Sequence, residues 1–366
     1  MTRLGPFVIA SSLLVAAGCG GSGGSAGTGG AGGGGGAGGG EQAVPCDGAP
    51  AELDLSGTWA LQGRLAVTLE GLPGGAITIC PSDQIGESTM LLMVTMSRDP
   101  ADPQKLVNVD AALCAMELPV LTALVGSCDP QSESLVSTQI IVPKLLTDAL
   151  PSLPTTPVSG ALGGLSAGAS VSVDRFTITV GSSKTGAELP SWDPSSGTCT
   201  STKLGRTDLC ETSCVDDCAG LRDDDADGYP AATVEVCGKT RSDVSSGVPC
   251  NAATPNVQGT TLQGRAFLDM EVNPKLSGAA KSACEIEGTI DSDVLYNLVG
   301  ADIYLAGTPI GVTSALKSLP AFQVHPADSR FRMVRIDGQF GAPDWAVDPA
   351  KRAEACATLL SRSNEL

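Results

Sequence analysis

Alternation of apolar and polar residues with a period of two is the clearest signal along the chain. Trp59, Leu61, Leu65, Val67 and Leu69 share one phase, and Gln62, Arg64, Thr68 and Glu70 share the other. That is the pattern of a strand with one face on a core. Leu262, Ala266, Leu268, Met270 and Val272 repeat it, with Gln263, Arg265, Asp269 and Glu271 opposite. Further strands are expected over 90–96, 105–118, 136–142, 171–180 and 232–236. Helix is expected over 143–150 and 349–362, each opened by a proline, a residue that suits a first helical turn. The fold class that follows is mainly β and antiparallel, as a barrel or a sandwich.

Both alternating segments open with Leu-Gln-Gly-Arg, at 61–64 and at 262–265. Three more matches follow in the same order. Cys114-Ala115-Met116-Glu117 matches Cys284-Glu285-Ile286-Glu287, and Arg175-Phe176 matches Arg330-Phe331. Pro190, Trp192, Asp193 and Cys199 match Pro343, Trp345, Asp348 and Cys356. Collinear matches of this kind suggest a tandem duplication. They lead to an expectation of two related β domains, 47–198 and 251–366, joined by a cysteine-rich linker at 199–250.

The amino terminus changes the picture of where such a body works. Residues 1–18 carry one cation, Arg3, then an apolar run from Phe7 to Ala17 that is too short to span a bilayer as a helix. The run ends in Val15-Ala16-Ala17-Gly18-Cys19, which resembles a lipobox, with Ala16 where leucine is commonest. The resemblance implies cleavage before Cys19 and acylation of that residue, and several acyl chains make a stable anchor. From Gly20 to Gly40 the chain holds only Gly, Ser, Ala and Thr. Such a segment buries too little apolar surface to offset the entropy of ordering, so 19–46 is read as a flexible tether, with an end-to-end distance of about 25 Å for its roughly 20 glycine-rich residues. No aspartate follows Cys19, which the resemblance associates with an outer membrane.

A formal charge of −18 and 3% aromatic residues argue against nucleic acid as a partner, which needs clustered cations or stacking platforms. Assigning Cys19 to lipid leaves twelve of the thirteen cysteines, an even number in a compartment that favours disulfides. Cys46, Cys80, Cys114, Cys128, Cys199, Cys210, Cys214, Cys218, Cys237, Cys250, Cys284 and Cys356 are therefore the disulfide candidates, with connectivity open. The three-residue gaps of Cys210, Cys214 and Cys218 do not fit the paired short spacing of zinc ribbons.

Two motifs carry possible chemistry. Asp223, Asp225, Asp227 and Gly228 occupy positions 1, 3, 5 and 6 of a calcium loop, where alternate carboxylates converge on a hard cation and glycine permits the turn. The Tyr229 carbonyl is the next candidate ligand. Position 12 is Val234, with Glu235 one residue late, and Pro230 opposes a flanking helix. With its following strand, the segment resembles the Asp-rich turns that introduce β domains in Gram-negative secreted lipoproteins. That resemblance lends no activity, and the residues leave two readings, a structural calcium of weak affinity or an ion-free solvated turn. The second motif, Gly164-Leu165-Ser166-Ala167-Gly168 with His325 downstream, has the letters of a serine-hydrolase nucleophile elbow, but it lacks the strand leading in and the helix leading out.

Gly57-Thr58-Trp59 resembles the start of the first strand in lipocalin-like barrels, which implies a carrier of a small apolar ligand. The expected function is therefore a membrane-anchored, non-catalytic binding or structural module, possessing calcium as its one cofactor. The lipocalin-like carrier and a hydrolase using Ser166 stand as alternatives. The expected partners are the membrane, through the lipid, and an unidentified protein or small apolar ligand.

Overall fold

The computed structural model describes residues 44, 46–48, 50–70, 82–117, 123–125, 129, 131–132, 136–190, 220–229, 231–240, 262–305, 308–310 and 321–366. The signal segment, Cys19 and most of the tether lie outside this set.

The expected strands form, and five of them close into an eight-stranded ring with three that the sequence pattern did not single out, Val158–Leu162, Glu285–Leu305 and Arg330–Arg335. In chain order they are β1 (Gly57–Glu70), β2 (Ser82–Arg98), β3 (Lys105–Glu117), β4 (Ala123–Val125), β5 (Val136–Ile141), β6 (Val158–Leu162), β7 (Ser170–Val173) and β8 (Ile178–Val180), followed by β9 (Ala232–Thr240), β10 (Leu262–Ser282), β11 (Glu285–Leu305), β12 (Thr308–Ile310), β13 (Ala321–Val324) and β14 (Arg330–Arg335). β1 pairs with β2, β2 with β3, β3 with β6, β6 with β7 and β7 with β10. β10 then pairs with β11, β11 with β14, and β14 returns to β1. Every pair is antiparallel and the strands follow chain order around the circuit, which makes an up-and-down barrel.

The β10–β11 hairpin has 21 residues on each side, roughly 70 Å at strand rise, and only its hairpin end belongs to the ring. Along the outer half of β10 run β8 and β9, and β5 and β4 add beyond β9. β12 adds to the end of β11, and β13 extends the edge of β1 beyond β14. The sequence pattern treats 171–180 as one strand, but the ladder on β10 breaks between β7 and β8 at Pro274, which has no N–H to give. Only its carbonyl is used there, accepting from the Phe176 N–H.

Strands from both halves of the chain thus share one sheet, and residues 44–366 form one compact unit. The Leu-Gln-Gly-Arg pieces both lie in strands, β1 and β10, but two of the other repeated pieces occupy unlike settings. Cys114-Ala115-Met116-Glu117 ends β3, whereas Cys284 sits in the β10–β11 turn, and Phe176 lies between strands whereas Phe331 lies in β14. The ladder hydrogen bonds do not separate a 47–198 sheet from a 251–366 sheet.

Alternation on β1 sends Trp59, Leu61, Leu65 and Val67 into the barrel, where they join Leu92, Val94, Leu106, Ile286, Ile290, Phe331 and Met333 in one core. The interior is tight. A Cβ built on Gly63 would lie 2.7 Å from Met90 Cγ and 2.9 Å from Ile290 Cδ1, so glycine there makes room for its neighbours' side chains. The same core continues through Val234, Val236, Leu262 and Ala266 of the outer sheet. Outside the barrel, Ala60, Leu91, Met93 and Ala112 pack beneath Trp345 and Ala355, Cys356 and Leu359. Those last three belong to a C-terminal helix, α2 (Arg352–Ser361), and a Cys114–Cys356 disulfide pins it to β3. The other described helix, α1 (Lys144–Ala149), falls within the expected 143–150 stretch. No helix among the described residues is long and apolar enough to cross a membrane.

One end of the barrel is closed by Arg335, which is wholly buried. Its guanidinium donates to the carbonyls of Ala283, Ser56 and Asp54 at 2.8, 2.6 and 2.7 Å. It also lies 4.7 Å from the Trp59 ring centroid and 4.9 Å from that of Phe340. Gly57, with φ 144°, leaves the space that Asp337 and Arg335 occupy, since a Cβ there would lie 2.1 Å from Asp337 Oδ2. The nearby Cys46–Cys284 disulfide ties the incoming chain to the β10–β11 turn. Arg335→Lys removes the planar fork and leaves buried carbonyls unpaired, so denaturant unfolding is expected to show a loss of about 2–4 kcal/mol. A loss below about 0.5 kcal/mol would show that the closure contributes little.

Candidate metal centre

The segment between Gly220 and Ala231 crosses the outer face of β10 and β11. Leu221, Tyr229 and Ala231 pack there on Phe267 and Val299, both fully buried. Tyr229 stacks on Phe267 with ring centroids 5.0 Å apart, and the Arg265 guanidinium lies 4.6 Å from the Tyr229 ring centroid.

The aspartates of this segment divide into two roles. Asp224 points back to β8: its Oδ2 accepts the Gly181 N–H at 2.6 Å, and Arg222 holds both of its oxygens. Asp223, Asp225 and Asp227 converge, each offering one oxygen within 4.8 Å of the others. Asp223 accepts the N–H groups of Asp227 and Gly228, which folds the loop back on itself. Asp227 accepts the Tyr229 N–H and the Thr233 hydroxyl.

Asp225 is the innermost, only 4% exposed. Its Oδ2 accepts the Thr233 N–H at 2.9 Å, while Oδ1 is buried without a hydrogen-bond partner. Burial pushes its carboxyl up to about 6; the Thr233 N–H opposes the rise and the Asp227 charge adds to it. A buried carboxylate oxygen without a donor, beside two more carboxylates, fits a hard cation better than it fits an empty turn. The acidic triad can hold a metal ion.

The other predicted ligands are placed differently. Tyr229, proposed through its backbone carbonyl, directs its ring onto Phe267 and beneath Arg265, which leaves that carbonyl's part in the site open. Glu235 lies in β9, opposite Arg265 on one side and Ile141 on the other, outside the converging group. Val234, at position 12 of the loop pattern, is in the core. A strand rather than a helix follows the loop, so the chain runs straight away from the site and carries Glu235 with it.

Ser166 is exposed in the turn between β6 and β7, at the barrel end where the Gly168 N–H donates to Ala280. His325 follows β13 near the far end of β1. There its Nε2 is 2.7 Å from Thr68 Oγ1 and its N–H donates to Ala66. The two residues belong to opposite ends of the barrel, and the elbow geometry is absent at Ser166.

Among the cysteine candidates, Cys46 pairs with Cys284, Cys114 pairs with Cys356, and Cys237 is also disulfide-bonded. Cys80, Cys128, Cys199, Cys210, Cys214, Cys218 and Cys250 lie outside the described residues. The chain matches no known protein-family model, and no curated protein matches it in sequence.

Sequence reasoning missed a second buried carboxyl. Asp269 sits on the polar phase of β10 and is 0% exposed, with Oδ1 accepting the Asn297 N–H at 3.0 Å and Oδ2 unpartnered. Burial pushes it up to about 7, against the pull of the Asn297 amide. The folded chain therefore keeps a proton that the unfolded chain has already lost over the window from about pH 4 to about pH 7. Across that window stability falls as pH rises, and above it the full penalty of a buried charge remains. Asp269→Asn is expected to match the parent near pH 4 and to exceed it by about 2–4 kcal/mol at pH 8. Parallel stability–pH curves for the two proteins would refute this.

Proposed function

We propose that this chain is a lipid-anchored cell-envelope protein, with the barrel as a non-catalytic binding or structural module and calcium at its acidic turn. The observation that carries this reading is the continuous core: one cluster of buried side chains runs from the barrel strands into the outer sheet. A scaffold whose inside is occupied by its own side chains presents function on its surface. The lipobox-like Val15-Ala16-Ala17-Gly18-Cys19 and the glycine-rich tether support anchoring, and the buried, unpartnered Asp225 oxygen supports an ion at the turn. Carboxylate oxygens up to 4.8 Å apart suit calcium, whose bonds of about 2.3–2.6 Å reach across that span more readily than magnesium's bonds of about 2.1 Å.

A second reading, a carrier of a small apolar ligand, draws support from the closed eight-stranded meander. A barrel of that size either fills with its own side chains or holds one small ligand. Native mass spectrometry of protein extracted from membranes addresses both readings together. The expected species begins at an acylated Cys19, carries one calcium that a chelator strips, and brings no other molecule. A retained apolar ligand would move the assignment to the carrier, and an unacylated chain would remove the anchor.

Calcium in the millimolar range is expected to raise the melting temperature by roughly 4 °C for each 1 kcal/mol of binding free energy, or less in a chain of this length. Chelator should reverse the shift, and no movement with either would take calcium out of the reading.

A further inference from the structure

The acidic turn does more than join two strands, because the segment that carries it is also a cover. Phe267 and Val299 are fully buried, and among the described residues the ones clustered with them are Leu221, Tyr229 and Ala231, all from the stretch of the acidic turn. Residues in left-handed conformation mark both ends of that segment, Gly220 with φ 99° and Ala231 with φ 63°. Its grip on the rest of the molecule is mostly polar. Arg222 N–H donates to the Gly181 carbonyl, Arg222 Nη2 donates to the Thr179 carbonyl, and Asp224 receives the Gly181 N–H. On the other side, Asp225 and Asp227 receive the Thr233 N–H and hydroxyl.

The grip on Thr233 therefore depends on two members of the carboxylate triad. Without a cation, three like charges within 4.8 Å repel by about 1 kcal/mol per pair even at the dielectric of water, and by more beside the buried Asp225. Covering one aromatic and one aliphatic side chain returns about 1.5–3 kcal/mol for each. The two effects are of similar size, so an ion at the triad decides between them.

The geometry points to a calcium-operated strap: with the ion bound, 220–229 stays closed over Phe267 and Val299, and without it the segment lifts and uncovers them. This rests on the calcium reading above and adds a regulatory consequence to it. The barrel takes no part, because the Arg335 closure and the core of β1, β2 and β14 make no use of the triad.

Hydrogen exchange on the full chain, with calcium or with chelator, tests the strap alongside calorimetric titration of the metal alone. Chelation is expected to speed exchange of the Thr233 and Gly181 amides and of residues 220–229 by roughly tenfold or more, while the β1 and β2 amides keep their rates. Asp225→Asn retains an acceptor for Thr233 and removes one charge, so its strap is expected to stay protected with or without calcium. Calcium uptake by the parent with no change in exchange at 220–233 would overturn the strap and leave the ion site standing. Absence of uptake would overturn both. An Asp225→Asn strap that opens in chelator as the parent's does would overturn carboxylate repulsion as the force that lifts it.

Discussion

The guanidinium of Arg335 is the interaction on which the rest of the molecule depends. It draws together the entering chain at Asp54 and Ser56, the β10–β11 turn at Ala283, the first barrel strand through Trp59, and the segment after the last strand through Phe340. They come from three parts of the chain that are far apart in sequence, around 54–59, at 283 and around 335–340. A barrel closes only where its first and last strands meet, and this buried cation satisfies the carbonyls left over at that seam. Removing it from water is costly, and three backbone carbonyls, two ring faces, the Asp337 carboxylate and the Gln339 side-chain oxygen receive it. The Cys46–Cys284 bond lies at the same end, so covalent and polar constraints reinforce each other there.

β10 passes from this closed end into a different environment. Its apolar phase faces the common core throughout, whereas its polar phase carries Gln263, Asp269, Glu271 and Asn273, all buried. Burial of so many polar groups needs partners, and most have them: Glu271 accepts from Gly186 and Asn273, and Asn273 accepts from Thr177. Asp269 is the member with an oxygen left over. The outer sheet therefore adds a layer of buried polar contacts to the apolar core that it shares with the barrel.

The acidic turn shows how a motif and its surroundings share the work of making a site. The spacing of Asp223, Asp225 and Asp227 is enough to bring three carboxylates together, because the Asp223 oxygens are satisfied by N–H groups four and five residues on. The depth of Asp225 depends on β9 and on the Tyr229–Phe267 stack. Glu235 is set apart by the same strand that Thr233 begins to build, so the ligand set of a helical calcium loop is not reproduced.

The local sequence pattern determined β1, β2, β3, β5, β7, β9 and β10, because side chains on a pleated ribbon face alternate ways whatever they pair with, but it did not single out β6, β11 or β14 of the ring. It also determined both helices and the converging aspartates, since each rests on residues within a few positions of one another. Ring closure was decided only by tertiary structure: β1 carries no local mark that its second neighbour is β14. The collinear repeats pointed to two domains, yet the ladders run between the halves, because strand pairing depends on which edges meet rather than on which sequences match. Tertiary structure likewise decided that Asp269 is buried while Arg64, on the matching polar phase of β1, is exposed. Alternation names the face, and what comes to lie on that face is set by distant residues, such as Asn297, 28 positions from Asp269.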